Sequence, residues 1–191
     1  IEGIISKARS GPAAKYRIFM FCLEYGRLLR LMGLGFIPGA VFRPVKKAFG
    51  EKIRLLISGG APMKTQYEGY YRSMGFTMVQ GYGLSETTGP VLISPDRGNV
   101  TGSVGVPVNG NEVKLSGTDS EGTGEILIRG DAVMPGYYKN PEADKEVFDP
   151  EGFFRTGDLG RLDKKGNLFI TGRMKNVIVL PSGKNVYPEE L

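Results

Sequence analysis

Residues Val79–Thr88, which read V-Q-G-Y-G-L-S-E-T-T, bring together groups that could bind a nucleotide and a metal ion. Gly81 and Gly83 lack a Cβ atom, so their backbone can turn sharply and a ligand can approach it closely. Between and after them come an aromatic face, a hydroxyl that can donate to an oxyanion, and a carboxylate of the kind that Mg²⁺ takes as a ligand. These three groups belong to Tyr82, Ser85 and Glu86. A plain glycine-rich turn is the alternative, and the stretch by itself does not decide between the two.

The composition is that of a globular protein without a nucleic-acid-binding stripe. The chain has 191 residues, of which 40% are apolar and 24% charged, and this length suits one domain or a large domain with an appendage. The net charge is +5, but the Lys and Arg residues are spread along the chain, so we expect no nucleic-acid partner. An anionic small ligand or an ordinary solvated surface accounts for this charge equally well.

Several chemistries are excluded by residues that the sequence lacks. No histidine is present, which removes Ser-His-Asp and Cys-His catalysis and histidine-ligated metal sites from this chain. The single cysteine, Cys22, excludes an internal disulfide and, because it lies in an apolar helical run, is predicted to be a buried thiol. The apolar runs are short and interrupted, so we expect no membrane span and a cytoplasmic location.

The first half of the chain alternates helix and strand patterns that are typical of an α/β fold. Apolar residues at helical spacing predict a helix over residues 12–33, and a second helix is predicted from Pro38 to Phe49. The run Lys52–Ser58 predicts a buried strand, and a helix over Met63–Met74 leads to a strand over Phe76–Gln80. Glycine loops follow both strands, so we expect them to face one ligand crevice.

The helix that is predicted from Pro38 has apolar residues on one side and Lys46 and Lys47 on the other. A basic amphipathic helix can lie on a membrane surface. Packing of the apolar side against a core is the commoner outcome, and we favour it.

Short strands separated by turn residues dominate the chain after about residue 89, which predicts an antiparallel or barrel-like β subdomain. A small helix with an asparagine cap interrupts them at Asn140–Phe148. The strands are predicted at Val91–Ser94, Gly102–Val106, Glu112–Ser116 and Gly124–Arg129, in a hairpin over Arg161–Gly172 that turns at Asp163–Asn167, and at Asn176–Leu180.

Five separated segments carry a family resemblance when they are read in order. They are I-S-G-G-A-P (57–62), Q-G-Y-G-L-S-E-T-T (80–88), G-E-I-L-I-R-G with M-P-G-Y-Y-K-N-P (124–130 and 134–141), F-R-T-G-D (154–158) and G-R-M-K-N-V-I-V-L-P-S-G-K-N-V-Y-P-E-E (172–190). Together they resemble the acyl-adenylate-forming (AMP-binding) superfamily of acyl- and aryl-CoA synthetases, luciferases and peptide-synthetase adenylation domains. Five ordered motifs are far more specific than one. The helix before the first motif, residues 102–115 and the V-L-P-S-G-K-N-V-Y-P run are most similar to long-chain fatty-acid–CoA ligases.

This resemblance implies that the chain is an internal fragment of a longer enzyme and belongs to its large domain. Residues 1–100 would be a piece of an α/β subdomain with N-terminal helices and the adenine and Mg²⁺ loops. Residues 101–174 would form a β-rich, barrel-like subdomain. Residues 175–191 would be the hinge and the truncated start of the small C-terminal domain.

The resemblance also implies a nucleotide site. Gly60–Pro62 would form one wall of the adenine pocket and Tyr82 would stack on the other face, while Ser85 would bond the α-phosphate or the acyl carboxylate. Asp158 would accept hydrogen bonds from both ribose hydroxyls, since two carboxylate oxygens match two donors. Arg173 would contact ribose and phosphate. The implied nucleotide-binding residues are Gly60, Ala61, Pro62, Gly81, Tyr82, Gly83, Ser85, Asp158 and Arg173.

Further roles follow from the same resemblance. Glu86 would hold Mg²⁺ and, with Ser85, act in catalysis, and Lys175 lies at the hinge position between the two domains. Residues near coenzyme A would be Gly183 and Lys184, and residues near the acyl chain would be Gly81, Gly105 and Val106. Ordinary alternatives are a helix-start carboxylate for Glu86, a turn aspartate for Asp158, a surface ion pair for Arg173 and a solvated side chain for Lys175.

The implied reaction has two steps that use a fatty acid, ATP and coenzyme A. The carboxylate attacks the α-phosphate of ATP to give acyl-AMP and pyrophosphate, and the coenzyme A thiolate then displaces AMP. The family's phosphate loop and its catalytic lysine are expected before Ile1 and after Leu191, so we expect the 191-residue chain alone to be inactive. We also expect self-association, because a cut domain exposes apolar faces.

Three other functions compete with this one. The parent could activate an aryl, medium-chain or amino acid, since the residues that select the acid are partly outside this chain. A noncatalytic nucleotide-binding module is the second, although Glu86, Asp158 and Arg173 are all intact. The third is a purely structural α/β domain, which would leave five ordered motifs to coincidence.

Overall fold

The computed structural model of the chain describes two compact units, Ile1–Val79 and Gln80–Leu191. The described residues are 1–50, 52–61, 63–95, 98–179 and 185–186. No described helix has the length and apolar character needed to cross a membrane. The three-part division that the sequence predicts remains a prediction.

The first unit is mainly helical. Its elements are α1 (Glu2–Arg9), α2 (Ala13–Leu31), α3 (Phe36–Phe49), β1 (Leu55–Ser58) and α4 (Thr65–Ser73), and strand β2 (Thr77–Tyr82) crosses into the second unit. The mixed α/β class is therefore confirmed. The unit's core contains Phe19, Cys22, Leu23, Phe42, Tyr70, Met74 and Phe76. Cys22 is fully buried, as predicted, and burial raises the pKa of its thiol.

The apolar residues of α2 divide between two faces of the helix. Phe19, Cys22 and Leu23 pack in the core, whereas Ile18 and Leu28 are exposed. Gly26 lets α2 approach α4 closely, since an added Cβ atom would lie 3.0 Å from the Cβ of Ser73. In α3, Phe42 is fully buried, which agrees with the core packing that we favoured for this helix.

The prediction that β1 is a buried strand is wrong. Leu55 and Ile57 are 47% and 65% exposed, while Leu56 between them packs on the core cluster. Successive side chains of a strand point to opposite faces, so a continuous apolar run is buried on both sides only where both faces are covered. Composition alone does not show that coverage.

The second unit is antiparallel β structure, as predicted. The end of β2 pairs with β3 (Leu92–Ile93), which pairs with β4 (Val106–Pro107). A second sheet has the order β5-β6-β7-β8. Its strands are β5 (Asn111–Ser116), β6 (Gly124–Gly130), β7 (Phe154–Leu162) and β8 (Leu168–Arg173), with α5 (Pro141–Val147) between β6 and β7, and a short pair, β9 (Ile178–Val179) and β10 (Asn185–Val186), follows. The core of this unit includes Tyr82, Val91, Leu92, Val104, Ile126, Ile128 and Leu168.

Three loops of the second unit share one geometry, which the D-x-x-G-x sequence encodes. They are Asp119–Thr123, Asp149–Phe153 and Asp163–Asn167. In each, an aspartate Oδ1 accepts the backbone N–H groups two and four residues later, at 2.8–2.9 Å. The glycine at the fourth position has a φ of 78–80°, which glycine adopts without strain. Of the three, only the turn at Asp163–Asn167 was predicted from the sequence.

Candidate functional site

The structure brings Tyr82, Asp158 and Arg173 together although they are far apart in sequence. The Tyr82 hydroxyl donates a hydrogen bond of 2.6 Å to Asp158 Oδ2. Arg173 Nε lies 2.7 Å from Asp158 Oδ1. Each carboxylate oxygen therefore has its own donor. Asp158 is 5% exposed, whereas the Arg173 side chain is 58% exposed, so the pair joins a buried anion to a surface cation.

Strand pairing explains why Asp158 and Arg173 meet. Asp158 of β7 lies directly opposite Arg173 of β8 in the antiparallel register, and such partners have Cβ atoms about 5 Å apart. The Asp158 backbone N–H donates to Thr156 Oγ1 at 3.0 Å, and that hydroxyl donates to the Ile126 carbonyl at 2.8 Å. Gly157 between them has a φ of 68°. The F-R-T-G-D segment thus belongs to an irregular part of β7, where the register with β6 shifts, and these bonds orient the Asp158 carboxylate.

The Tyr82 hydroxyl is a hydrogen-bond donor over the whole neutral range. Burial raises the pKa of Tyr82 well above its ordinary value, and the charge of Asp158 and the hydrogen bond to it raise that pKa further. The phenol therefore stays protonated throughout the neutral range and can donate to the carboxylate. An ionised carboxylate accepts strongly from such a donor, which fixes its orientation.

Residues Ser85–Thr87 form a short 3-10 helix that Thr87 holds in place. Thr87 is fully buried, and its Oγ1 accepts from the Leu84 backbone N–H at 2.9 Å. The chain reversal around this helix requires Gly83, since an added Cβ atom there would overlap the carbonyl oxygen of Gly89. Ser85 is exposed, and its side chain makes no hydrogen bond within the part of the chain that the structure describes. A serine hydroxyl and a half-buried Glu86 are therefore presented by a rigid turn.

Glu86 is held by the segment that follows β6. Its backbone carbonyl accepts from the Met134 N–H at 2.7 Å, and its Oε1 accepts from the Tyr137 hydroxyl at 3.1 Å. Partial burial raises the pKa of Tyr137, and the hydrogen bond to Glu86 raises it further. Sequence reasoning missed Tyr137, although the M-P-G-Y-Y-K-N-P motif contains it. The available signal was only the motif itself, because no local pattern pairs residues so distant in sequence.

The described residues suit a metal ion that is held mainly by a ligand rather than by the protein. No group of three or more Cys, Asp or Glu side chains within the described residues could hold a metal ion. Glu86 offers one half-buried carboxylate, of which Oε1 bonds to Tyr137. Mg²⁺ commonly takes one or two carboxylates together with substrate phosphates and water. The donor set fits that arrangement.

The other predicted site residues lie in several places. Gly60 and Ala61 are exposed in the first unit, where Gly60 has a φ of 77°. Gly81 is half-buried in β2. Gly105 is buried with a φ of 91°, beside the half-buried Val106.

The remaining predicted residues lie toward the C-terminal end or outside the described part. Lys175 is exposed in a short 3-10 helix, Met174–Asn176, directly after β8. Pro62, Gly183 and Lys184 lie outside the described residues. The roles of all these residues remain predictions.

Comparison with known proteins identifies similar sequences and folds. The model of the AMP-binding enzyme family matches residues 14–138. Long-chain-fatty-acid–CoA ligase FadD15 of Mycobacterium bovis is 44% identical over 151 residues, which cover 79% of this chain and 24% of that protein. Long-chain-fatty-acid–CoA ligase 2 of Schizosaccharomyces pombe is 34% identical over 203 residues, covering 100% of this chain and 30% of that protein.

Among solved structures, O-succinylbenzoate coenzyme A synthetase (MenE) from Bacillus subtilis, in complex with ATP and magnesium ion, aligns with a TM-score of 0.66 at 28% identity. The alignment covers 79% of this chain and 33% of that one. The chain spans about a quarter of the length of the first curated relative that it matches.

Proposed function

The chain belongs to the AMP-binding enzyme family, and we propose that it forms the nucleotide-binding part of an ATP-dependent long-chain fatty-acid–CoA ligase. In that reaction a fatty carboxylate attacks the α-phosphate of ATP to give acyl-AMP and pyrophosphate. The coenzyme A thiolate then displaces AMP to give the thioester. Similarity to the two ligases described above supports this choice of acid and thiol.

The observation that carries the proposal is the buried Asp158 carboxylate with a donor on each oxygen. An ionised carboxylate has about four lone-pair positions, so two remain after Tyr82 and Arg173 have bonded. Two vicinal ribose hydroxyls can donate to those two positions. Because Tyr82 and the β7–β8 register fix the carboxylate beforehand, binding ribose would require little ordering of the protein.

The remaining roles are those that the family resemblance implies. The Tyr82 ring would stack on adenine, Gly60–Pro62 would form the opposite wall, and Arg173 would approach the phosphate. Ser85 would bond the α-phosphate or the acyl carboxylate, and Glu86 would hold Mg²⁺. When bound, Mg²⁺ would neutralise charge that develops on the transferring phosphate.

Three further assignments extend the proposal to the acyl and coenzyme A sites. We assign Lys175 to a hinge, and Gly183 and Lys184 to the coenzyme A site. We assign Gly81, Gly105 and Val106 to the site that binds the acyl chain.

Asp158→Asn, compared with Asp131→Asn at an exposed position, tests the proposal in the longer ligase that would contain this chain. The assay is ATP-dependent formation of the thioester from a long-chain fatty acid and coenzyme A. We expect Asp158→Asn to raise the KM for ATP about 100-fold without changing the KM for the fatty acid, and Asp131→Asn to match the wild type. Equal KM values for ATP in all three proteins would contradict the assignment.

A panel of carboxylic acids separates the proposed substrate from its competitors. Long-chain acids should support pyrophosphate exchange far better than aryl, medium-chain or amino acids. Preference for an aryl, medium-chain or amino acid would show that the enzyme belongs to another branch of the family. Nucleotide binding without exchange for any acid would favour a noncatalytic module. The 191-residue chain alone is expected to show no exchange, since it spans about a quarter of its first curated relative.

We further propose a cytoplasmic enzyme that touches anionic membrane surfaces through α2. Exposed apolar residues recur along this helix and just beyond it at the spacing of one helical stripe. The stripe consists of Ile18, Phe21, Tyr25, Leu28 and Met32, which are 48–64% exposed. Residues 1–50 contain nine Lys or Arg and only two Glu. That charge repels a second copy of the same segment but attracts an anionic lipid surface.

The membrane proposal is testable because the chain contains no tryptophan. Phe21→Trp should show a blue-shifted emission with vesicles of equal parts phosphatidylglycerol and phosphatidylcholine. The matched probe, Tyr138→Trp, replaces an aromatic residue that is 87% exposed in the second unit and should show no shift. A shift that appears without vesicles and grows with protein concentration would favour self-association instead. Absence of a vesicle-dependent shift at position 21 would contradict membrane contact through α2.

A further inference from the structure

The segment after β6 makes a series of contacts that end at the Glu86 carboxylate. The Thr88 hydroxyl donates to the Ala132 carbonyl at 3.1 Å, and the Met134 N–H donates to the Glu86 carbonyl at 2.7 Å. These two bonds attach the segment to the 3-10 helix that carries Glu86 and to the residue that directly follows it. The Tyr137 hydroxyl then reaches Glu86 Oε1 at 3.1 Å. The carboxylate is therefore oriented by a side chain that belongs to a different part of the sequence.

The backbone of Tyr137 is held in place by a residue of α5. Its backbone N–H donates to Asp144 Oδ1 at 2.7 Å. Asp144 lies in α5, whose first turn is capped by the Asn140 side chain, which accepts from the Ala143 N–H at 3.3 Å. Gly136 permits the close approach, because an added Cβ atom there would lie 2.7 Å from Asp144 Oδ2. The tyrosine ring thus projects from a fixed backbone.

We propose that Tyr137 is a positioning residue that holds Glu86 for metal binding. This inference rests on the proposed function, in which Glu86 is the protein ligand of Mg²⁺. The hydroxyl bonds Oε1, and Oε2 accepts no hydrogen bond from the described residues, so no donor among them competes with a cation for the second oxygen. A free glutamate side chain would lose rotamer entropy on binding the metal. Because the Tyr137 hydroxyl already restrains the Glu86 side chain, less rotamer entropy is lost when the metal binds.

The adjacent tyrosine provides a matched control. Tyr138 is 87% exposed, while Tyr137 is half-buried, so Tyr137→Phe and Tyr138→Phe make the same chemical change at neighbouring positions. The probe is Mn²⁺, and its binding to the AMP-saturated longer ligase is measured by electron paramagnetic resonance. We expect Tyr137→Phe to weaken Mn²⁺ binding about 10-fold, as loss of an outer-shell partner does at other metal sites. Tyr138→Phe should bind Mn²⁺ as the wild type does.

The Glu86→Gln variant distinguishes an effect of Tyr137 on Mn²⁺ binding that acts through Glu86 from an effect on Mn²⁺ binding that does not depend on Glu86. If Tyr137 acts through Glu86, Tyr137→Phe should have no further effect on Mn²⁺ affinity in the Glu86→Gln background. An equal loss in both backgrounds would overturn the proposal, and so would unchanged Mn²⁺ binding in Tyr137→Phe. Should Tyr137→Phe fail to fold, Asp144→Ala decides, because it frees the Tyr137 N–H. Asp144→Ala should weaken Mn²⁺ binding relative to Asp131→Ala, and equal affinities would overturn the proposal.

The outcomes also distinguish this inference from the proposed function. Mn²⁺ binding that depends on Tyr137 in a protein that forms no acyl-AMP would refute the proposed reaction and support the positioning role. Glu86→Gln with wild-type Mn²⁺ affinity would refute both.

Discussion

The Tyr82 hydroxyl donates a 2.6 Å hydrogen bond to the Asp158 carboxylate, which lies 76 residues later in the chain. Both residues are buried, and they come from different sheets, Tyr82 from the sheet that contains β2 and Asp158 from the sheet that contains β7. The bond therefore couples the glycine-rich turn of the Q-G-Y-G-L-S-E-T-T segment to the F-R-T-G-D strand. In the proposed ligase it would also couple the ring that stacks on adenine to the carboxylate that binds ribose.

Tyr82→Phe is expected to destabilise the 191-residue chain by about 2 kcal/mol, since a buried carboxylate oxygen loses its donor. Urea denaturation followed by circular dichroism measures this change. Tyr138→Phe, at an exposed position, should lie within about 0.5 kcal/mol of the wild type. A Tyr82→Phe chain as stable as the wild type would mean that water replaces the lost donor.

Alkaline pH provides a second test of the same bond. The pKa of Tyr82 is raised in the folded state from an ordinary value of 10.0, so the folded chain keeps a proton that the unfolded chain loses. Stability from this residue is therefore complete below pH 10 and decreases as the pH rises above it. Thermal melts between neutral pH and pH 11 should show a smaller decrease in Tm for Tyr82→Phe than for the wild type. Parallel curves would contradict the assigned shift.

Thr87→Val should destabilise the chain by roughly 2 kcal/mol, because it keeps the shape but leaves the Leu84 N–H without its acceptor. The measurement is again the free energy of unfolding in urea. Thr101→Val makes the same substitution at an exposed turn and should have almost no effect. If the two variants were equally stable, Thr87 would not hold the turn that presents Ser85 and Glu86.

Gly105→Ala and Gly117→Ala separate steric overlap from backbone strain. Both glycines have positive φ, 91° and 63°. An added Cβ at Gly105 would overlap the Ile93 carbonyl oxygen, whereas nothing lies within 4 Å of one at Gly117. We expect about 1 kcal/mol of destabilisation for Gly117→Ala from φ alone, and at least about 3 kcal/mol for Gly105→Ala. Equal losses would show that the β3–β4 region relaxes around the new atom.

Asp163→Asn should flatten the acid dependence of stability. The Asn167 side chain donates to Asp163, and this bond, with two backbone N–H groups, lowers the pKa of Asp163 below its ordinary value of 3.8. The stabilisation is present above pH 3.8 and is lost as the pH falls through the lower folded-state pKa. Thermal melts from pH 6 to pH 2 should show a smaller decrease in Tm in Asp163→Asn, which keeps an Oδ1 acceptor. Asp131→Asn, at an exposed position, should follow the wild type.

The sequence by itself determined the family and the order of the elements from α2 onward, and it supplied most of the candidate residues; α1 (Glu2–Arg9) was not predicted. Helical spacing predicted α2, the Asn-Pro pair predicted α5, and the turn residues Asp163–Asn167 predicted the β7–β8 hairpin, because these are local interactions within a few residues. The five motifs carried the resemblance to AMP-binding enzymes, which the family match over residues 14–138 confirms.

Tertiary structure decided which side chains meet and which faces are covered. Nothing local indicates that Tyr82 bonds Asp158 or that Tyr137 bonds Glu86, since these partners are 76 and 51 residues apart. The same holds for burial: the apolar run of β1 predicted a buried strand, yet Leu55 and Ile57 are exposed. Local propensity follows from a residue and its neighbours in sequence, whereas hydrogen-bond partners and burial depend on chain segments that only the folded protein brings into contact.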